Sequence, residues 1–357
     1  MDRRKFLAGA AIAAIGGCQW SNPLDRRERL KIMGLLGAIP SKVISQFESN
    51  FPLKVEFKAE NSPAKVWQEL TKNQETSSQL FSISDAWLDQ AIAQSAIQPL
   101  PAEVLTKIPQ WQKLSPLWQQ SVTRNNQVWG IPYRWGTTAI AYRNDKLKFD
   151  INQWSDLWRP ELTGKLTLPD DAREVIGIVL KKIGQSYQLD NLNPDSDISL
   201  KLKQELKSLQ AQVLTYSSEH YLQSLLADDS LAAVGWSNDM YRAKRQNPSN
   251  LEVVIPQDGT ALWSDIWVVP KGVPAIAAVG EWMDFCLTPN IAAQITALTD
   301  AVSTSSDLSQ VPNSVKSDPI KFLSPEVFNK SELIAPLSPS TFAQYQALWT
   351  KMRSNSL

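Results

Sequence analysis

Apolar and polar positions alternate along the amino-terminal third of the chain in a pattern that predicts strands and helices in turn. Short apolar runs with period-two spacing are typical of strands, and each is followed by a segment whose apolar residues have helical spacing. The pattern predicts strands at 30–36, 53–57 and 80–83 and helices at 41–51, 62–74 and 85–95. Because strand–helix alternation at this spacing is typical of layered architectures, the sequence predicts an α/β fold.

The middle of the chain contains a long extended segment that connects two such units. Residues 128–142 hold two extended runs separated by proline and glycine, which we interpret as the crossing from a first lobe into a second. Beyond it, strands are predicted at 213–216, 231–236 and 251–255, and helices at 199–212, 275–287, 290–298 and 341–352.

Residues 166–180 combine a strand, an acidic turn and the start of a buried helix. Asp171 and Glu174 are three positions apart, so on a helix their side chains point the same way. One interpretation is a helix cap, because Asp followed three positions later by Glu before an apolar run is close to a capping box. The other is an acidic binding site, in which Asp170 takes more of the capping while Asp171 and Glu174 face a cleft.

Another acid lies inside an apolar strand near residue 265. Period-two alternation in residues 262–270 places Trp263 and Asp265 on the same face. A buried unpaired carboxylate is costly, so Asp265 needs a partner, either a local arginine or lysine or the cationic group of a ligand. If Asp265 is uncompensated in the free protein, Asp265→Asn should weaken binding about tenfold or more and leave the melting temperature unchanged or higher.

Composition excludes some classes of function. The 357 residues suffice for about two domains of ordinary size. Lysine plus arginine equals aspartate plus glutamate, at 36 each, which argues against a nucleic-acid partner because such proteins carry a basic excess. The chain has 14 tryptophans, and tryptophan is the best ring for holding a cation. Cys286 lies in a helical apolar segment and is expected in the core, and no metal site or cofactor is predicted.

The first 18 residues are expected to be an export signal rather than part of the fold. The charged start Arg3-Arg4-Lys5, a short apolar run and a small-residue site ending at Cys18 resemble a bacterial lipoprotein signal, and residues 3–7 also resemble a twin-arginine motif. The resemblance implies cleavage before Cys18 and a lipid anchor on Cys18 that holds the protein at the membrane. Residues 19–29 are expected to be a tether.

Several motifs follow one another in a characteristic order. They are Ile131-Pro132-Tyr133 with Trp135-Gly136, Trp154-Ser155-Asp156-Leu157-Trp158 with Gly164-Lys165, Asp170-Asp171-Ala172-Arg173-Glu174-Val175, Trp236, Trp263 with Asp265, and residues 282–289. In this order and spacing they resemble the spermidine/putrescine-binding proteins, the substrate receptors of polyamine ABC importers. The similarity covers most of residues 30–304 and is strongest between 128 and 300.

The resemblance implies a periplasmic-binding-protein type II fold, in which two α/β lobes close on a ligand like a hinged clamp. The first lobe would hold residues 30–136 and 264–305, and the second residues 137–263 and 306–357. The implied partners are a polyamine or related organic cation and the permease subunits of an ABC importer. The protein is then expected to be a periplasmic or otherwise extracytoplasmic monomer.

The resemblance also implies roles for individual residues. Asp171 and Glu174 match the family's carboxylates for ligand amines, and Asp265 matches an acid for a further amine. Trp236 and Trp263 match rings that pack along the aliphatic chain of the ligand.

The match is weaker in the first lobe. Where the family has an aromatic pair after its first strand, residues 35–38 read Leu-Leu-Gly-Ala, and after Ser84 the expected tyrosine position is Ala86. Trp87 is a candidate substitute for that tyrosine, and Asp85 is a candidate further acid in the cleft. A different small amine or an amino-acid-like ligand is therefore the alternative to a polyamine.

An exported hydrolase is a remote alternative. Retaining glycosidases hold two carboxyl groups about 5 Å apart, as Asp171 and Glu174 would be, but such pairs normally come from separate elements. The single histidine, His220, lies in a polar segment, and the sequence has no G-x-S-x-G motif. We therefore expect a binding protein and not an enzyme.

Overall fold

The chain folds into strands and helices arranged around one long mixed sheet. A computed structural model describes residues 28–72, 77–190, 192–274 and 277–357. The predicted export signal with Cys18, and almost all of the predicted tether, lie outside these described residues. The strands are β1 (Glu28–Leu35), β2 (Leu53–Glu60), β3 (Leu80–Ser84), β4 (Ile97–Gln98), β5 (Thr123–Arg124), β6 (Gln127–Val128), β7 (Ile131–Arg143), β8 (Leu166–Leu168), β9 (Val213–Tyr216), β10 (Ala232–Trp236), β11 (Leu251–Val254), β12 (Ala261–Pro270), β13 (Val302–Ser303) and β14 (Glu332–Leu333).

The helices pack on both halves of this sheet. The α-helices are α1 (Ser41–Asn50), α2 (Pro63–Leu70), α3 (Leu88–Ala93), α4 (Ala102–Leu105), α5 (Pro116–Ser121), α6 (Ala172–Lys182), α7 (Asp197–Gln210), α8 (Gln223–Leu226), α9 (Ser237–Gln246), α10 (Ala277–Leu287), α11 (Pro289–Leu298), α12 (Asn313–Lys316), α13 (Pro325–Lys330) and α14 (Pro339–Arg353). Short 3₁₀ helices cover Asp85–Trp87, Pro109–Lys113, Trp154–Trp158 and Pro160–Leu162.

The sheet consists of two mainly parallel halves joined by antiparallel strands. Its strands follow the order β2-β1-β3-β12-β7-β10-β8-β9. β1 is parallel to β2 and β3, and β8 is parallel to β9 and β10. β7 is antiparallel to both β12 and β10, so it belongs to both halves.

β7 is one continuous strand of 13 residues, whereas the sequence predicted two extended runs with a break between them. Proline inside a sheet removes a backbone donor, and it is tolerated next to bulges. The register of the neighbouring β12 shifts between Asp265 and Ile266, where Ile266 faces Pro132. Because the bulge lies next to Pro132, the N–H donor that proline lacks does not interrupt the pairing of the strand. β7 therefore continues past Pro132.

The hydrophobic interior is divided into separate cores. One core draws its buried side chains from residues 30–135 and 262–302. Two others contain residues between 139 and 255, together with Ile320 and with side chains from the carboxyl-terminal helix α14. Trp135 belongs to the first of these cores and Ala139 to another, so residues 136–138 of β7 mark the place where the strand passes between the two halves of the molecule.

Most helices lie within a few residues of their predicted positions. The segment 85–95 differs, because a 3₁₀ turn at Asp85–Trp87 precedes α3. Cys286 is a buried free thiol in α10, as predicted. Among the described helices, none is both long and apolar enough to cross a bilayer.

Candidate ligand-binding cleft

The candidate site is built on one face of β7 where the strand leaves the first core. Alternation along a strand places Arg134, Gly136 and Thr138 on the same face, about 13 Å from end to end. Pairing with neighbouring strands adds one residue opposite each of these three positions: Asp265 opposite Arg134, Trp263 opposite Gly136, and Trp236 opposite Thr138. Trp263 and Asp265 therefore share a face, as the period-two pattern predicted.

Trp263 lies flat against the backbone of β7. A Cβ atom placed on Gly136 would be 2.3 Å from Cζ2 of the Trp263 ring, so only glycine leaves room for the indole. The Trp263 Nε1 atom is buried and has no hydrogen-bond partner among the described residues. A buried donor of this kind is expected to find a partner, which a ligand can supply.

Gly136→Ala is expected to displace the Trp263 ring and weaken ligand binding about tenfold, because a ring–cation or ring–aliphatic contact is worth about 1 kcal/mol or more. Isothermal titration calorimetry on the folded variant measures this loss. Gly130→Ala is the matched control: its Cβ would lie 2.7 Å from the Trp267 carbonyl oxygen, outside the β7 face. The control should lower stability and leave affinity unchanged, and equal affinities for all three proteins would contradict this placement of Trp263.

Asp265 is paired with Arg134 in the protein interior. The Arg134 Nε and Nη2 atoms both lie 2.6 Å from Oδ2 of Asp265, and the two side chains are 7% and 8% exposed. Burial alone would lower the pKa of Arg134, but the charge of Asp265, the charges of Tyr133 and Asp239 and the hydrogen bond to Asp265 together raise the pKa above its ordinary value. The assumption that Asp265 is uncompensated in the free protein is therefore wrong, because its cross-strand neighbour supplies the charge.

The amino terminus of α6 provides the other end of the site. Asp171 is the helix cap, since its Oδ1 accepts from the backbone N–H groups of Arg173 and Glu174 at 2.7 and 2.9 Å. Asp170 instead forms an ion pair with Arg353. The predicted division, in which Asp170 takes more of the capping, is thus wrong. Asp171 has the extended backbone of an Ncap residue, which aims its carboxylate at the first turn.

Glu174 turns away from the cap towards β7. Its Oε2 accepts a hydrogen bond from the Thr138 hydroxyl at 3.0 Å. Burial, followed by the charge of Asp171, raises the pKa of Glu174 to about 8, and the charge of Asp85 adds to this shift. Within the described parts of the chain no arginine or lysine forms a salt bridge with Glu174, and the charge of the neighbouring Arg173 only partly offsets the rise of its pKa.

Asp85 approaches the same region from the end of β3. Its Oδ2 accepts from the Ser264 hydroxyl at 2.9 Å, while the Ser84 hydroxyl lies 3.4 Å from its Oδ1. Burial raises the pKa of Asp85 to about 6, with a contribution from the charge of Asp265. Ser84 itself accepts from the Ala86 N–H and so shapes the turn that presents Asp85.

Aromatic rings flank these acids. Trp236 packs edge-on against Tyr221, with ring centroids 5.3 Å apart. Trp87 packs edge-on against Trp67 at 4.6 Å. Both rings are only partly buried, so each has surface left for a ligand, although Trp87 also has a structural partner.

Among the described residues, no group of three or more histidine, cysteine, aspartate or glutamate side chains has the arrangement of a metal site. His220 is exposed.

Comparison with known proteins places the chain in a family. Over residues 42–322 the sequence matches the family described as bacterial extracellular solute-binding protein. The chain belongs to this family. The solute-binding protein is 28% identical over 331 residues to the spermidine/putrescine-binding periplasmic protein of Salmonella typhimurium, covering 92% of this chain and 89% of the relative. It is 23% identical to the putrescine-binding periplasmic protein PotF of Escherichia coli, with 82% of each chain covered.

The fold of this solute-binding protein is also similar to a solved structure. The spermidine/putrescine substrate-binding protein PotD of Streptococcus pneumoniae superposes with a TM-score of 0.80 at 21% identity, covering 92% of this chain and 100% of that chain. The predicted two-lobe α/β fold and the resemblance to polyamine-binding proteins are therefore confirmed. Family membership also confirms an extracytoplasmic solute-binding protein over the hydrolase alternative.

Sequence reasoning did not find three residues of this solute-binding protein's candidate site. Arg134, Thr138 and Ser264 each contact one of the predicted acids. The sequence did contain an indication of Arg134, because it is a charged residue inside an apolar strand and the chain has an aspartate in a second apolar strand. The sequence contained no such indication of Thr138 and Ser264, since only the register between neighbouring strands brings these hydroxyl groups to the acids.

Proposed function

We propose that this solute-binding protein captures an organic amine of the spermidine/putrescine class and delivers it to the permease subunits of an ABC importer. The observation that carries the proposal is Glu174, a carboxylate bonded to Thr138 and without a salt-bridge partner in the described residues, on the same face of β7 as Gly136, which carries the ring of Trp263. Ionised acids in a partly buried site are stabilised by an opposite charge, which an ammonium group supplies. The aliphatic chain of such a ligand packs on Trp263 and Trp236.

The relatives support the same class of ligand. Those of Salmonella typhimurium and Escherichia coli are named for binding spermidine and putrescine, or putrescine. The proposed site residues are Asp171, Glu174, Trp236, Trp263 and Asp265, with Ser84, Asp85 and Trp87 from the first lobe. Asp265 acts there together with Arg134, and Asp171 acts mainly by holding the α6 amino terminus.

We also propose the lobe boundaries 30–136 with 264–305 and 137–263 with 306–357. The separate cores support them. Phe328 and Leu333 pack against the first core and so provide a further connection between the lobes. The Ser62 hydroxyl donates to Glu219 at 2.9 Å across the two units, a contact consistent with a clamp that closes on its ligand.

In this proposal the protein acts as a monomer, exported by a twin-arginine-like signal and anchored by a lipid on Cys18.

Calorimetric titration with putrescine, spermidine and spermine tests the proposal. Several charged hydrogen bonds and ring contacts stabilise the bound amine, and the free energy lost in ordering the ligand and its site is subtracted from this sum. The result supports an affinity near the micromolar range, a binding free energy of about −8 kcal/mol. Binding of at least one of these amines is expected. No heat with any of them at millimolar concentration would overturn the proposed function.

The affinity for an amine is expected to rise at least about tenfold between pH 6 and pH 8. In the free protein Glu174 holds a proton until about pH 8, because burial and the charges of Asp171 and Asp85 raise its pKa, while Arg173 opposes them. An ammonium ligand favours the ionised form, so binding releases that proton and is favoured by higher pH. The ligand stays charged, because amine pKa values are about 10.

Calorimetry in two buffers of different ionisation enthalpy measures this proton release directly. In Glu174→Gln the rise with pH should be much smaller. An affinity that is flat or falls across this range would contradict the role of Glu174.

A further inference from the structure

A buried acid of the proposed first lobe is paired with two arginines of the proposed second lobe. Asp300 lies between α11 and β13, and its side chain is only 6% exposed. Its carboxylate accepts from Nε of Arg242 at 3.2 Å and lies 3.0 Å from Nη2 of Arg245, and both arginines belong to α9. A buried carboxylate requires such counter-charges, so Asp300 ties α9 to the first lobe.

The turn that carries Asp300 is fastened to its own lobe. The Ser303 N–H donates to the Thr296 hydroxyl at 2.9 Å, which joins β13 to the last turn of α11. The Thr299 hydroxyl donates to the Ile295 carbonyl oxygen at 2.7 Å. These groups are buried, so water does not compete for their hydrogen bonds. Asp300 therefore holds a fixed position at the edge of the first lobe.

Arg242 differs from Arg245 because it also reaches a second acid. Its Nη1 atom lies 3.7 Å from Oδ1 of Asp239. Asp239 in turn accepts a hydrogen bond from the Tyr221 hydroxyl at 3.0 Å. Within the described residues Arg245 forms its salt bridge with Asp300 alone. Arg242 and Asp239 thus connect Asp300 of one lobe to Tyr221 of the other.

Tyr221 holds Trp236 through both its hydroxyl group and its ring. The hydroxyl accepts from the Trp236 N–H at 3.3 Å, and the two rings pack edge-on. A Cβ atom placed on Gly235 would be 2.3 Å from Cε2 of Tyr221, so the Tyr221 ring packs directly against the end of β10. Trp236 is the last residue of β10 and lies opposite Thr138. The series of contacts that begins at Asp300 therefore ends at a proposed ligand-binding ring.

We infer that Tyr221, Asp239 and Arg242 are positioning residues for Trp236, and that Asp300 sets their position from the other lobe. The inference rests on the proposed function, since it takes Trp236 as a ring that packs on the bound amine. Because α9 begins directly after Trp236, a shift of this helix relative to Asp300 moves the ring. The contact between Trp236 and the ligand is therefore coupled to the relative placement of the two lobes.

A comparison of Arg242→Met with Arg245→Met tests the inference. Both arginines pair with Asp300 and both are about half exposed, so neither substitution should prevent folding. Calorimetry is done with whichever of putrescine, spermidine and spermine binds the wild type most tightly. Arg242→Met is expected to weaken binding at least about threefold, because it breaks the connection to Asp239. Arg245→Met is the matched control and should keep the wild-type affinity.

The outcomes of this comparison separate the inference from the proposed function. Wild-type affinity in both variants, or an equal loss in both, overturns the inference and leaves the proposed function standing. No binding of any of the three amines to the wild type overturns both.

A double-mutant cycle distinguishes positioning of Trp236 from a general loss of stability. Tyr221→Phe keeps the ring and removes the hydroxyl that bonds to Asp239 and to the Trp236 N–H. It should weaken binding at least about threefold in the wild type and have little effect on affinity in Trp236→Ala, because the two residues act together. Equal losses in both backgrounds would show that Tyr221 does not act through Trp236.

The Trp236 ring can also be followed in the ligand-free protein. In protein labelled with fluorotryptophan, the fluorine NMR signal that is missing from Trp236→Phe belongs to Trp236. This signal should shift in Arg242→Met and in Asp300→Asn, and it should stay in place in Arg245→Met. A Trp236 signal unmoved by Arg242→Met overturns the inference, whatever the protein binds.

Discussion

Glu174→Gln is expected to weaken amine binding by about tenfold to a hundredfold. A hydrogen bond to a charged group is worth about 1.5–3 kcal/mol, and glutamine keeps the shape of the side chain and the contact with Thr138 while removing the charge. Calorimetry with the amine that binds tightest measures the loss. Because this carboxylate has no salt-bridge partner in the described residues, its charge is available to the ligand.

The same substitution is expected to leave the ligand-free protein as stable as the wild type, or more stable, at pH 8. The pKa of Glu174 is raised from 4.5 to about 8 by burial and the charge of Asp171, so the folded state binds more protons than the unfolded state between these values. Stability of the wild type therefore falls as pH rises through this range, and glutamine removes that loss.

Asp170→Asn is the matched control for Glu174→Gln. Asp170 is a nearby acid, but it pairs with Arg353. It should change affinity little. Equal losses of affinity in both variants would mean that general negative charge, and not Glu174, attracts the ligand.

How far the sequence predicts this site depends on which contacts are local in the chain. Period-two alternation is local, so it correctly placed Trp263 and Asp265 on one face. The acid pair Asp171 and Glu174 could also be recognised from the sequence. The sequence could not show which of the adjacent aspartates, Asp170 or Asp171, caps the helix, because both stand just before its first turn. The structure distinguishes them through Arg353, which is distant in sequence and pairs with Asp170.

Contacts between strands could not be read from the sequence. Arg134 and Asp265 are 131 residues apart, and their pairing depends on the register of β7 against β12 and on the bulge that follows Asp265. A one-residue slip in register moves every side chain to the other face, so alternation alone cannot identify a cross-strand partner. The fold was easier to predict, because alternating strands and helices repeat their signal many times along the chain.

Asp265→Asn is expected to lower the free energy of unfolding by about 3–5 kcal/mol. Removing one partner of a buried ion pair leaves the other charge without compensation, and here that charge is the guanidinium group of Arg134. This reverses the expectation from sequence, in which the substitution removed an unpaired acid. Chemical denaturation at pH 7 measures the change, and the double variant Arg134→Met/Asp265→Asn should recover much of it, because no charge then remains buried.

The ligand response of Asp265→Asn separates a structural role of the pair from a role in selectivity. With Arg134 uncompensated, the part of the β7 face around Arg134 becomes positive, so putrescine should bind more weakly while 4-aminobutanoate, which has a carboxylate at one end, binds more tightly. A direct contact between Asp265 and a second ligand amine would weaken putrescine as well, but it would give 4-aminobutanoate no advantage. The two ligands must therefore be compared on the folded variant, because the change in their affinity ratio is independent of the stability that the variant loses.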